Sequence, residues 1–135
     1  MRIIGLGNDL VDIRRIEKLI ERFEGRFIKR VFTEYEINYS HTKGNKAANF
    51  AKRFAAKEAC AKALGTGIAK GVFWKDMAVE NNENGKPYMK LSGGALERLR
   101  QLTPEGMNYQ IDLSMSDEPP MAQVIVIISA LGEDE

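Results

Sequence analysis

Two carboxylates and a lysine stand in this sequence where apolar side chains are expected. Residues 46–64 are rich in Ala and read as one long helix. An advance of about 100° per residue puts Ala47, Phe50, Ala51, Phe54, Ala55 and Ala61 on a single stripe. Glu58 falls roughly 20° and Lys62 roughly 60° from Ala47, both inside that stripe. A charged group facing a core is costly unless it is paired or coordinated. Glu58 and Lys62 pair one turn apart, or the helix exposes this end to solvent, or Glu58 binds a cation and Lys62 an anion at a shared site. Asp9 is the second misplaced carboxylate, between Leu6 and Leu10-Val11 with glycines at 5 and 7. Glycine inside a strand marks a bulge or a close backbone approach. Asp9 either ends the strand and caps the next element, or converges with Glu58 as a pair of hard oxygen ligands. Two carboxylates are enough for Mg²⁺, because substrate phosphates and water complete its shell. Mn²⁺ is open as a substitute.

Other features carry weaker signals. In the run from Asp112 to Asp117, alternation places Asp112, Ser114 and Ser116 on one face, which also describes the wet side of an ordinary strand. Arg14, Lys18 and Arg22 form a basic stripe, with Glu17, Glu21 and Glu24 beside it as on any solvated helix. Gly65-Thr66-Gly67 comes after a helix, where a phosphate loop would precede one. Cys60 points away from the Glu58 stripe and has no neighbouring histidine, so a catalytic thiol is not expected.

Spacing also defines the elements that must position these groups. Residues 2–11 read as a strand. Asp12 then caps a helix carrying Ile13, Ile16, Leu19, Ile20 and Phe23, and Gly25 stops it. Thr33 and Glu36 form a capping box that opens a short helix, and residues 41–45 read as a loop. The long helix ends at Gly65 and Gly67. Residues 74–80 and 88–91 read as hairpin strands around Asn84-Gly85. Ser92 caps another helix, and residues 109–116 and 122–130 read as the last two strands. Helices and strands interleave irregularly, so the expected class is α+β, a single domain over 1–135 with the Ala-rich helix packed on a small antiparallel sheet.

Composition excludes several classes. Lys and Arg total 20 against 19 Asp and Glu, a net charge of +1, so binding nucleic acid through bulk positive charge is not expected. One cysteine permits no intrachain disulfide, and one histidine, His41, permits no site that needs two. No uncharged run approaches the ~20 residues of a membrane span. Asp9 and Asp12 interrupt the stretch a secretory leader would need, so the expected location is cytoplasmic.

With these residues laid out, the chain resembles the holo-acyl-carrier-protein synthases, the small type of 4′-phosphopantetheinyl transferase. The resemblance rests on four blocks: Ile4-Gly5-Leu6-Gly7-Asn8-Asp9-Leu10-Val11-Asp12-Ile13 with Arg14 and Glu17; Phe32-Thr33 with Glu36; Arg53-Phe54-Ala55-Ala56-Lys57-Glu58-Ala59-Cys60-Ala61-Lys62 running on to Gly67; and Asn84-Gly85-Lys86-Pro87. The resemblance implies transfer of the 4′-phosphopantetheine arm of coenzyme A to a serine of apo-acyl carrier protein, releasing adenosine 3′,5′-bisphosphate, in support of fatty acid biosynthesis. It implies Mg²⁺ on Asp9 and Glu58, and Lys62 on phosphate oxygens. It further implies Arg53 on the nucleotide's 3′-phosphate, with Gly65, Lys86 and Pro87 against the adenosine. Arg14, Lys18 and Arg22 would then meet the acidic helix of the carrier protein. A homotrimer with active sites between subunits is implied as well. Many relatives carry histidine where this chain has Asp112 and Asp117, which leaves Asp112 or a metal-bound water as candidate base for the serine. Two rival classes are a chemistry-free module that binds acidic helices and a small Mg²⁺-dependent nucleotide hydrolase. The first would not lose function on Asp9→Ala, and the second would need no protein acceptor.

Overall fold

One helix organises the molecule, and almost every other element packs on it. The computed structural model describes residues 1–23 and 25–135. In chain order the elements are β1 (Arg2–Asp12), α1 (Ile13–Phe23), α2 (Gly25–Val31), α3 (Glu34–Thr42), α4 (Lys46–Ala63), β2 (Met77–Asn81), β3 (Pro87–Leu91), α5 (Gly93–Leu102), β4 (Asn108–Glu118) and β5 (Met121–Leu131). A single 3-10 turn, Trp74–Asp76, leads into β2. The long strands form an antiparallel sheet in the order β1-β5-β4, and β2 and β3 form a separate hairpin. The fold is α+β, as expected.

Alternation along β5 decides which side of the sheet is dry. Ala122, Val124, Val126, Ile128 and Ala130 are buried, and α4 lies over their face. Register puts Gly7 opposite Val126 and Asp9 opposite Val124, so Asp9 shares the face turned to α4. Gly5 and Gly7 make that packing possible. A Cβ at Gly5 would stand 2.3 Å from the Ala63 carbonyl oxygen, and one at Gly7 would stand 2.0 Å from that of Ala59. The pairing register also shifts between Ile3 and Gly5, so the strand has both the bulge and the close approach that its glycines signal.

Two local expectations are corrected and one is extended. The first helix ends at Phe23, before Gly25 as expected, and Gly25 itself opens α2, whose Ile28 and Val31 are buried beside Phe32. His41 and Thr42 lie in the last turn of α3, where His41 packs edge-on against Phe50 with ring centres 5.4 Å apart. Residues 74–76 are a helical turn because the Trp74 ring stacks on Phe54 at 5.2 Å, bending the chain before the strand begins. Phe27, Phe32 and Phe50 extend this aromatic cluster. Truncating such a ring to Ala costs about 3–5 kcal/mol.

Candidate functional site

The strand end of β1 and the last two turns of α4 bring Asp9, Glu58 and Lys62 together. The Lys62 ammonium donates to Asp9 Oδ1 at 3.1 Å and to the Asn8 carbonyl at 3.0 Å. Lys62 is therefore paired with Asp9 and not with Glu58. Glu58 makes no hydrogen bond or ion pair among the described residues. Its carboxyl is held above the usual carboxylate range, first by partial burial and then by the nearby charge of Asp9, with Lys62 and Arg15 opposing. A half-buried carboxylate within electrostatic reach of a second one is a place where a cation is favoured.

The donor chemistry fits a hard divalent cation. No group of three or more His, Cys, Asp or Glu gathers among the described residues, so a metal here would have two carboxylates at most. That leaves most of an octahedral shell to water and substrate, the usual arrangement for Mg²⁺.

The same helix carries a second charged cluster that sequence reasoning missed. Lys57 and Glu36 are both fully buried. The Lys57 ammonium donates to Glu36 Oε1 at 2.7 Å, to the Met77 carbonyl at 2.6 Å and to the Trp74 carbonyl at 3.1 Å. Glu36 closes the expected capping box by accepting from the Thr33 N–H at 2.9 Å, and it also takes the Val79 N–H at 2.9 Å. The network ties α3, α4 and β2 together. Burial lowers the Lys57 ammonium below its ordinary range, and Glu36 offsets part of that. Lys57 lies off the stripe that begins at Ala47, so helical periodicity does not single it out.

The remaining candidates do not join the carboxylates directly. Arg53 is buried, its guanidinium 4.2 Å from the Tyr39 ring centre, with Nη1 donating to the Asn49 carbonyl at 3.2 Å and Nε unpartnered. Lys86 and Pro87 lie at the hairpin tip, where Asn82 Oδ1 accepts from the Lys86 N–H at 3.0 Å. Gly65 takes a positive φ of 79° just past the end of α4 and borders a cleft. Arg14, Lys18 and Arg22 are exposed along one groove with Arg15, and Arg14 is forked onto Asp12 at 2.6–3.2 Å. That fork holds the Asp12 carboxyl at about 2. Asp12 also accepts from the Arg14 N–H at 2.9 Å, the helix-starting bond expected of it. Asp117 is taken by Lys52 at 2.8 Å, and Asp112 accepts from Gln110 at 2.8 Å on the solvent side of β4.

Comparison with known proteins identifies the family. A sequence profile of the 4′-phosphopantetheinyl transferase superfamily matches residues 5–114, which include Asp9, Glu58, Lys62 and the hairpin tip. The chain belongs to this superfamily. The chain is 57% identical over 129 residues to the holo-[acyl-carrier-protein] synthase of Parvibaculum lavamentivorans, covering 96% of this chain and 97% of that one. Among solved structures it is similar to the holo-[acyl-carrier-protein] synthase of Neisseria meningitidis, with a TM-score of 0.81 and 35% identity over 94% of this chain and 98% of the other. It is also similar to the Bacillus anthracis holo-(acyl-carrier-protein) synthase in complex with CoA (3′,5′-ADP), at TM-score 0.76 and 34% identity over 98% and 100% of the two chains. Within the superfamily fold, the two carboxylates sit where β1 and α4 touch backbone to backbone. No helix of the described residues is long and apolar enough to cross a membrane.

Proposed function

We propose that this chain transfers the 4′-phosphopantetheine arm of coenzyme A to a serine hydroxyl of apo-acyl carrier protein, releasing adenosine 3′,5′-bisphosphate, and that Asp9, Glu58 and Lys62 are its reaction centre. The observation that carries the assignment is Glu58, unpaired beside Asp9 while Lys62 takes Asp9 instead. A superfamily member that binds acidic helices without chemistry has no use for that arrangement.

In the reaction the serine oxygen forms a bond to the β-phosphorus of the pyrophosphate. The bond from that phosphorus to the bridging oxygen breaks, the serine proton passes to water, and the nucleotide leaves keeping that oxygen on its 5′-phosphate. Mg²⁺ held by Asp9 and Glu58 would supply Lewis acidity and charge neutralisation for the pyrophosphate. Lys62 supplies a point charge that can pass from Asp9 to a phosphate oxygen when substrate enters. Its side chain is half exposed, so it has room to move. The rigid contact of β1 with α4 holds both carboxylates in place before substrate arrives, which is what phosphoryl transfer chiefly requires.

The exposed basic groove of α1, with Arg14, Lys18 and Arg22, is the surface offered to an acidic carrier protein. Arg53 is assigned to the 3′-phosphate, and reaching it requires Tyr39 to swing off its guanidinium. Gly65, Lys86 and Pro87 are assigned to the adenosine. A homotrimer is supported by the sheet face turned away from α4, where Leu6, Leu10 and Ile125 are exposed. A cytoplasmic role in fatty acid biosynthesis completes the reading.

The test is the intact mass of an apo-acyl carrier protein incubated with this chain, coenzyme A and Mg²⁺, beside an EDTA control. The expected result is a gain of one phosphopantetheine arm that EDTA abolishes. No gain with several carrier proteins would overturn the reading.

A further inference from the structure

The hairpin of β2 and β3 stands apart from the main sheet, and a two-stranded hairpin is marginal on its own in water. Its tip carries Lys86 and Pro87, assigned above to the adenosine of coenzyme A. The tip is knit within itself. Asn82 Oδ1 accepts from the Asn84 N–H at 2.9 Å and from the Lys86 N–H at 3.0 Å, and Gly85 takes a positive φ of 82°. Those bonds fix the shape of the turn. They do not fix where the turn stands relative to the helices.

That place is set along the outer edge of β2. Alternate residues of an antiparallel strand turn their backbone groups away from the paired strand. In β2 these are Met77, Val79 and Asn81, and a side chain from α3 or α4 meets each one. Lys57 donates to the Met77 carbonyl, Glu36 accepts from the Val79 N–H, and the Tyr35 hydroxyl accepts from the Asn81 N–H at 3.0 Å. The first two pegs are sealed in the core, whereas Tyr35 is 39% exposed and stands at the end nearest the tip. The Tyr35 hydroxyl also donates to Asn81 Oδ1 at 3.4 Å, and Asn81 Nδ2 donates to the Gly85 carbonyl at 3.0 Å. Hydrogen bonds therefore run without a break from α3 through Asn81 to the residue before Lys86. Tyr35 can act as a fixed post because its neighbour Glu36 is held by Lys57 and by the Thr33 N–H. A tip held in place before the nucleotide arrives avoids the cost of being ordered on binding.

Resting on the transferase reading, we infer that Tyr35 and Asn81 are positioning residues, which hold the hairpin tip where it meets the adenosine of coenzyme A.

The test is calorimetric titration of coenzyme A and of adenosine 3′,5′-bisphosphate in Mg²⁺, together with steady-state transfer and thermal melting. It compares the full chain with Tyr35→Phe, Asn81→Ala and the double variant. Tyr35→Phe removes one hydroxyl and keeps the ring, so its thermal midpoint should stay near that of the unmodified chain. It is expected to weaken both ligands by the same factor, about fivefold, the size of one hydrogen bond's contribution. The KM for coenzyme A should rise with it, while kcat and the KM for carrier protein stay unchanged. Asn81→Ala should carry the same penalty, and the double variant no more than either single one, because both break one path. A merely structural role would lower the midpoint without splitting KM from kcat. Asn81 is partly exposed, so Asn81→Ala decides by the same titrations even if Tyr35→Phe unfolds. Unaltered coenzyme A affinity in a folded single variant, or penalties that add in the double variant, would overturn the inference. An unmodified chain that neither binds coenzyme A nor transfers the arm would instead overturn the transferase reading.

Discussion

Lys57 and Glu58 are neighbours in sequence and opposites in circumstance. Lys57 is sealed, with one carboxylate and two carbonyls on its ammonium and no contact with water. Glu58 is half open, raised in pKa and without a partner. A buried charge whose every valence is met holds elements together, and removing either partner strands the other. A charge left wanting at the edge of the core is available to a ligand. One turn of one helix therefore carries both the clamp that fixes the helix and the unpaired carboxylate proposed as a metal ligand.

The comparison breaks most sharply if function and stability fail to separate. Glu58→Ala should lower kcat/KM for transfer by about ten-thousand-fold, the loss of several kcal/mol of charge neutralisation at the reacting phosphate. Its thermal midpoint should stay near that of the unmodified chain, and a collapse of the midpoint would show Glu58 to be a structural residue. Lys57→Ala should do the reverse, costing about 3–5 kcal/mol in chemical denaturation. Lys57→Met combined with Glu36→Leu should recover only part of that cost: no charge is stranded, but the Trp74 and Met77 carbonyls and the Val79 N–H lose their partners. If the double variant is no better than the single one, the network does more than satisfy itself.

Arg14 offers a third circumstance, an exposed charge forked onto its own neighbour Asp12. Arg14→Glu should raise the KM for carrier protein about tenfold at low salt and much less at high salt, with coenzyme A binding unchanged. An unaltered response to carrier-protein concentration would remove α1 from the recognition surface.

Proton competition sharpens the open side. Because the Glu58 pKa is raised, protons displace a metal at higher pH than they would from an ordinary carboxylate. Mg²⁺ affinity, measured by titration across pH, should therefore fall on acidification before the usual carboxylate range is reached. A fall confined to that range would mean Glu58 is not a ligand. On the sealed side, burial pushes the Cys60 thiol up to about 12, with Lys57 only partly opposing. Cys60 should stay unalkylated by iodoacetamide in the native protein at neutral pH and react once the chain is denatured; labelling without denaturant would show that the clamp opens.

The sequence exposed the open charges and hid the closed ones for a physical reason. Asp9, Glu58 and Lys62 were readable because they interrupt an apolar pattern. Lys57 was not, and Arg53 was reached only through the family resemblance, because the pattern assumed that α4 buries one stripe. In fact the sheet, α1, α3 and β2 enclose it on nearly every side, so polar positions off the stripe are interior too. Thr33 and Glu36 were readable as a cap because the motif is local, whereas Glu36's tie to Lys57 joins residues far apart in sequence. Gly25 marked where the first helix ends but gave no sign that a second helix begins at the same residue. Nothing along the chain showed that Lys62 would choose Asp9 over Glu58, since that choice depends on how closely β1 approaches.

That approach rests on atoms that are not there. The hydrogen at Gly7 is the gauge block between strand and helix, with Asp9 two residues further along. A methyl group inserted at position 7 would lever β1 outward and carry Asp9 with it, widening the gap across which the proposed cation would be held. The spacing of the two carboxylates is thus machined by the smallest side chain in the alphabet, two residues from Asp9.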